Sequence, residues 1–140
     1  MAALTAAKPN PSRVSSGPLS TDIHAPMATG VTIYAGALVS VAATGYARPA
    51  RTSTTDLVLG VAQETKANAG ADGAASIAVK RGVYKFANSA AGDAISAAHV
   101  GRDVFIVDDQ TVAATNGTNT RVRAGKCVGV DSDGVWVETY

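Results

Sequence analysis

The chain has 140 residues, with 14 glycines, 5% aromatic and 16% charged residues, and a formal net charge of +1. That length fits one domain with a core of useful size, and so balanced a charge creates no broad field to draw in nucleic acid or an anionic membrane. One cysteine forms no intramolecular disulfide, no run approaches the ~18 apolar residues that cross a bilayer, and the opening "MAALTAAKPNPSRV" lacks the features of a signal peptide.

Residues 1–29 carry Pro9, Pro11, Pro18 and Pro26 among many Ser, Thr and Ala, with no sustained period. Proline removes backbone donors and biases its predecessor toward extended geometry, so this stretch reads as an extended arm that gains order by pairing with something. Leu19, Ile23 and Met27 recur every four positions, but Pro18 and Pro26 flank them and argue against a long helix. With Pro9, Pro11 and Pro18, these three are the candidate contacts of the arm. The competing reading is a terminus with no role.

From Gly30 to Tyr140 the texture changes to short β-branched runs punctuated by glycine and Asp/Asn turns, which predicts an all-β body. The runs are "VTIYAGALVSV" (31–41), "LVLGVAQ" (57–63), "ASIAVKRGVYKFA" (75–87), "DVFIVDDQTVAA" (103–114) and the closing "RVRAGKCVGVDSDGVWVETY". Ile77 and Val79 share one parity while Tyr84 and Phe86 share the other, which predicts a bulge near Arg81-Gly82. Between runs, 88–101 is rich in alanine, and 93–99 suits at most one short helix. "VLGVAQETKANAGADGAASIAVK" and "KCVGVDSDGVWVE" rhyme loosely, too loosely for a repeat, and suggest successive hairpins in a small barrel or sandwich.

In the closing hairpin, Asp131–Gly134 closes either as a two-residue Asp-Gly turn or as a four-residue loop, and both registers put Val128, Val130, Val135 and Val137 on one face. Cys127, Gly129, Trp136, Glu138 and Tyr140 then lie opposite. Trp136 and Tyr140 have the amphipathic character of a half-covered surface and are candidates for a subunit interface; Trp136 as the lid of a small core is the plainer reading.

The chemistry-bearing residues point away from catalysis. Cys127 as a nucleophile needs a neighbouring His, and the two histidines, His24 and His99, lie in the arm and the alanine-rich connection, so a buried structural thiol is expected. Asp131 and Asp133 lack the later ligands of a calcium loop and read as turn residues. Asp108 and Asp109 offer paired carboxylates for a hydrolase, yet a hairpin turn accounts for them more simply. Arg121 and Arg123 share a strand face, as a pair for a carboxylate partner or as a solvated edge. No catalytic, metal or cofactor motif occurs in the sequence, so the expectation is a protein that is not an enzyme and takes no metal or cofactor.

The order of phrases in residues 30–138 resembles the decoration, or cement, proteins of tailed-bacteriophage capsids. A "GV" strand is followed by a basic-to-"GVY" strand, a "GD" connection, "VFIVDD", "GKCVGV" and a terminal strand. The long Pro/Ser arm departs from the compact members. The resemblance implies a non-enzymatic β-barrel or β-tulip-like body that binds the outer surface of the expanded head and stabilises it. It also implies a trimer, the major capsid protein as partner of the arm, and a place on the virion exterior after synthesis in the host cytoplasm. Other readings are a carbohydrate-binding, adhesin-like β-sandwich on the virion and a structural head or tail connector.

Overall fold

The computed structural model describes residues 2–9, 12–14 (backbone only) and 22–139. The protein is all-β, and the described residues form thirteen strands and two single-turn 3-10 helices, Ala91–Asp93 and Ala97–His99. The short helix expected at 93–99 is thus two separate turns. The second is capped by Ser96, whose hydroxyl accepts the Ala98 N–H, while His99 Nδ1 accepts the Ser96 N–H at 3.0 Å.

The strands form two small barrels. The first lobe contains β2 (Asp22–Pro26), β4 (Leu38–Val41), β5 (Ala47–Pro49), β6 (Leu57–Ala62) and β8 (Ser76–Lys80), ordered β2-β8-β6-β4-β5, and a parallel bridge from Met27 to Ala47 closes the ring. A two-stranded ribbon, β3 (Thr32–Ile33) with β7 (Lys66–Ala67), flanks it. The second lobe contains β9 (Val83–Asn88), β10 (Asp103–Ile106), β11 (Thr111–Ala113), β12 (Arg123–Asp131) and β13 (Gly134–Glu138). Its order β9-β11-β10-β12-β13 is closed by β13 pairing back onto β9, and β1 (Ser12–Val14) lies along β9. Closure leaves few free edges, which is how small antiparallel proteins avoid strand-to-strand association.

The two lobes follow one plan. From residue 36 to residue 62, each position has a counterpart numbered 65 higher: Gly36 and Gly101 donate to Ala62 and Cys127, and those residues donate back to Ala37 and Arg102. The same bulge recurs, since Val39 faces Gly60 as Val104 faces Gly125, and the next residues, Ser40 and Phe105, skip to Val58 and Arg123. The first strand corresponds too, with Ile23 opposite Val79 as Tyr84 is opposite Val137. Few side chains are shared across this correspondence, Gly36/Gly101, Val39/Val104, Thr55/Thr120 and Gly60/Gly125 being the identical pairs in the 36–62 frame.

Each lobe has its own core. Ala25, Met27, Ile33, Val39, Ala47, Ile77 and Val79 fill the first, and Phe86, Val104, Val112, Cys127, Val135 and Val137 fill the second. The lobes join where Leu38, Ala50 and Val61, on the outside of the first barrel, pack against the second core. Their counterparts Asp103, Thr115 and Lys126 are exposed. One face of the shared plan is therefore apolar where it is covered and polar where it meets water.

Three expectations change. The body begins before Gly30: residues 22–26 form β2, paired with β8 along its whole length, and Met27 is fully buried. Burying such a side chain stabilises by roughly 1.5–3 kcal/mol, so this segment belongs to the first barrel rather than to an arm. The parity change at Arg81-Gly82 is a crossing between lobes and not a bulge. Ile77 and Val79 point into one core, Tyr84 and Phe86 into the other, and the crossing is tied down by Gly82 N–H to Thr139 Oγ1 at 3.1 Å and Arg81 Nε to the Leu59 carbonyl at 3.1 Å. In the closing hairpin Val130 faces Val135, and Ser132 and Asp133 form the tip. An irregularity between Cys127 and Gly129 turns Cys127 inward and Val128 outward, the reverse of the simple alternation. Cys127 occupies the counterpart of Ala62, a core position.

Candidate functional site

The candidate site is the outer face of the second lobe around Trp136. Strand β13 alternates Val135 and Val137 into the core, which obliges Trp136 outward. Its half-buried ring donates from Nε1 to Asp131 Oδ2 at 2.7 Å, and the Lys85 ammonium lies 5.5 Å from its centroid. Lys85, directly across on β9, also bridges Asp131 at 3.4 Å and makes a close ion pair with Asp133. Asp133 holds the Lys85 ammonium above its ordinary pKa, and Lys85 holds the Asp133 carboxylate below its own. The two aspartates thus brace the tryptophan through a lysine, in keeping with turn residues rather than a calcium loop. On the same lobe Val128 is 36% exposed and Val100 is 49% exposed.

Comparison of the lobes makes this face stand out. Extending the offset of 65 by one residue at each end sets Val100 and Val128 against Ala35 and Gln63, and the pairings of β8 and β13 set Trp136 against Ala78. The second lobe therefore presents larger apolar and aromatic groups at a water-facing rim where the first presents small or polar ones.

The N-terminal segment is the second element of interest. Residues 2–8 lie across the junction of the lobes: the Leu4 N–H donates to Asp109 Oδ1 at 2.9 Å, and the Ala2 carbonyl accepts from the Gln110 amide. Lys8 reaches Gln110 Oε1 with its ammonium and the Ala35 carbonyl with its backbone N–H, both at 3.3 Å. Leu4 packs against the first core. Asp109 is only 2% exposed; burial raises its pKa, and the Leu4 N–H only partly offsets that. Asp108 turns its carboxylate to the Gln110 N–H at 3.0 Å. The pair forms the β10–β11 turn, as expected, and Asp109 gains an added role as the anchor of the N-terminus.

Of the predicted arm contacts, Pro9 is exposed, Ile23 packs at the edge of the first core and Met27 lies inside it. Pro11, Pro18 and Leu19 lie outside the described residues, as does Tyr140 of the predicted interface. Met27 is therefore a core residue and leaves the list of candidate contacts, while Ile23, on the strand paired with β8, is only partly buried. Trp136 keeps its outward position. Residues 12–14 pair within the molecule as β1, which takes Tyr84 and Val83 as partners. Arg121 and Arg123 hold Asp93 at 3.2 Å and Asp103 at 2.8 Å, each an intramolecular ion pair. Burial pushes the Cys127 thiol up, away from the thiolate a nucleophile needs.

Lys85, Val100 and Val128 escape a reading of the sequence. Lys85 looks like any strand lysine, Val100 like the end of a connection, and Val128 like an inward valine. The doubled frame would have singled out all three, but with so few identities it emerges only from the strand pairings. No protein-family model, curated protein or solved structure matches the chain.

Proposed function

We propose that this protein is a non-enzymatic decoration protein of a tailed-phage head, binding the outer surface of the expanded shell and stabilising it against disruption. The observation that carries the reading is the Trp136 face: a rigid barrel wall bearing an aromatic group, Lys85 and exposed valines, where the other lobe has Ala78, His24 and Ala35. The order of sequence phrases supports the same reading. In it the body supplies a stiff knob, three copies assemble around the face bearing Trp136, and the N-terminal segment before Asp22 pairs with the major capsid protein.

A ligand that binds only the assembled, expanded lattice stabilises it by mass action, and joining three such segments raises the effective concentration of the second and third once the first is bound. The N-terminal segment must then trade its contacts with Asp109, Gln110 and β9 for contacts with the shell. That exchange of like hydrogen bonds for like costs little net enthalpy.

The test adds purified protein to undecorated expanded capsids and to unexpanded proheads, then follows occupancy and the temperature of DNA release. Selective binding to expanded capsids with a raised release temperature is expected. Equal binding to both particles, or no gain in thermal resistance, sinks the proposal. A truncation that probes the N-terminal segment has to stop before Asp22, since β2 is part of the first barrel.

A further inference from the structure

Residues 2–8 are held differently from the strands of the body. Strand β2 pairs with β8 at five successive positions. Among the described residues, only four hydrogen bonds hold the N-terminal segment: Leu4 N–H to Asp109 Oδ1, Gln110 Nε2 to the Ala2 carbonyl, Lys8 Nζ to Gln110 Oε1, and Lys8 N–H to the Ala35 carbonyl. Leu4 and Lys8 are half-buried, whereas Ala2, Ala3, Thr5, Ala6 and Ala7 are exposed. Three of the four bonds end on the side chains of two neighbours, Asp109 and Gln110, in the β10–β11 turn.

The turn that holds the segment does not depend on it. The Asp109 carbonyl accepts the Leu38 N–H at 2.8 Å and the Val107 carbonyl accepts the Thr52 hydroxyl at 2.9 Å, so first-lobe residues fix the turn by bonds in which the segment takes no part. The Asp108 carboxylate braces it from within through the Gln110 N–H, and Leu38, Ala50 and Val61 keep the junction of the lobes packed. When the segment lifts, water takes the place of the Leu4 N–H at Asp109 and of the partners of Gln110, an exchange of like hydrogen bonds for like. A segment with one apolar anchor and mostly exposed bonds opens locally, far below the cost of unfolding the domain.

We propose that residues 2–8 are an autoinhibitory strap. Closed on Asp109 and Gln110 in the free protein, it opens as a unit while both barrels stay folded, and only the open form offers the N-terminal segment to a partner strand. The inhibitory half rests on the reading of this segment as the element that pairs with the major capsid protein. A partner that needs the open form binds with an affinity reduced by the fraction of molecules that are open. Loosening the latch therefore tightens binding by the factor by which it raises that fraction.

The experiment follows amide hydrogen exchange by NMR in the full-length wild type and in Gln110→Ala, which removes two of the four bonds without altering the segment itself. In the wild type the Leu4 and Lys8 amides are expected to be protected about 10- to 100-fold. The Leu38 amide, bonded across the junction, and the Cys127 amide, bonded within the second lobe, are expected to be protected more than about 1,000-fold. Gln110→Ala is expected to lower protection at Leu4 and Lys8 about tenfold, to leave Leu38 and Cys127 unchanged, and to bind undecorated expanded capsids more tightly by up to the same factor. Asp109→Ala, which removes the Leu4 acceptor, is a second variant expected to act in the same direction. Unprotected Leu4 and Lys8 amides in the wild type, or protection equal to that of Leu38, overturn the strap. Lost protection without tighter capsid binding overturns the inhibition and leaves the capsid reading standing. Capsid binding by neither protein sinks that reading and the inhibition with it, while the exchange data still decide the strap.

Discussion

Replacing Gly125 by alanine is expected to break the pairing of β12 with β13. Gly125 has φ +158°, and a Cβ built there lies 2.1 Å from the Glu138 carbonyl oxygen and 2.8 Å from Val137 Cγ1. Carbon and oxygen come to rest about 3.3 Å apart, so β13 must withdraw by about 1 Å, enough to disrupt hydrogen bonds normally about 2.9 Å long. Two lost ladder bonds at about 1 kcal/mol each, with overpacking strain of about 1–3 kcal/mol, give a destabilisation of about 3–5 kcal/mol. That is a large share of the roughly 5–15 kcal/mol that holds a typical domain. Gly60 is the counterpart, at φ +153°, and its Cβ meets the Lys80 carbonyl oxygen at 2.8 Å. A shift of about half as much suffices there, so Gly60→Ala is expected to cost about 1–2 kcal/mol. Urea unfolding of the wild type and both variants measures the series. Stability within about 1 kcal/mol of wild type for Gly125→Ala, or greater damage from Gly60→Ala, would refute the reasoning and the correspondence of the two bulges.

Asp109→Asn keeps an acceptor for the Leu4 N–H and removes a buried charge. Because the folded pKa is raised, the wild type loses stability as pH climbs from the unfolded carboxylate value of about 3.9 through the folded one. The variant is expected to be the more stable at neutral pH, with the gap closing below about pH 4, as thermal unfolding across pH will show. Asp56 runs the other way. Burial alone would raise its pKa, but the Arg51 ion pair at 2.8 Å, the Ser53 hydrogen bond and the nearby Arg48 hold it below the ordinary value. Its contribution is present above about pH 4 and is lost as pH falls through the lowered folded pKa. Asp56→Ala is expected to cost about 1–3 kcal/mol at neutral pH in chemical denaturation, since Arg51 is half in water and returns to it easily. Trp136→Ala forfeits the Asp131 hydrogen bond and the Lys85 contact, a stability loss of about 1–2 kcal/mol. Since three copies are proposed to join at this face, occupancy on expanded capsids is expected to fall far more than that loss implies, and unchanged occupancy removes Trp136 from it.

Much of the architecture is written in local pattern. Runs such as "DVFIVDD" and "GVWVE" carry the alternation and turn residues of strands, because side chains two apart share a face whatever the rest of the chain does. Asp108 and Asp109 were legible as a turn for the same reason. The Val128 orientation was not, because one irregularity between Cys127 and Gly129 reverses parity, and nothing in "KCVGV" marks it. Met27 read as part of an arm because Pro26 precedes it. Only the bridge to Ala47 shows that this proline ends a strand at the rim of a barrel. The buried anchor at Asp109 depends on Leu4, a residue more than a hundred positions away, and no local window holds both.

What the sequence by itself determined, then, is an all-β body of short strands with Trp136 on the face opposite Val135 and Val137. Alternation and turn chemistry are local, and they survive any arrangement of the strands. Tertiary structure alone decided that there are two barrels on one plan, that the chain crosses between them at Arg81-Gly82, and that Val100 and Val128 stand where the first lobe has Ala35 and Gln63. Those facts live in pairings between distant strands, and the side chains of the two lobes differ where one of two corresponding faces is buried and the other meets water.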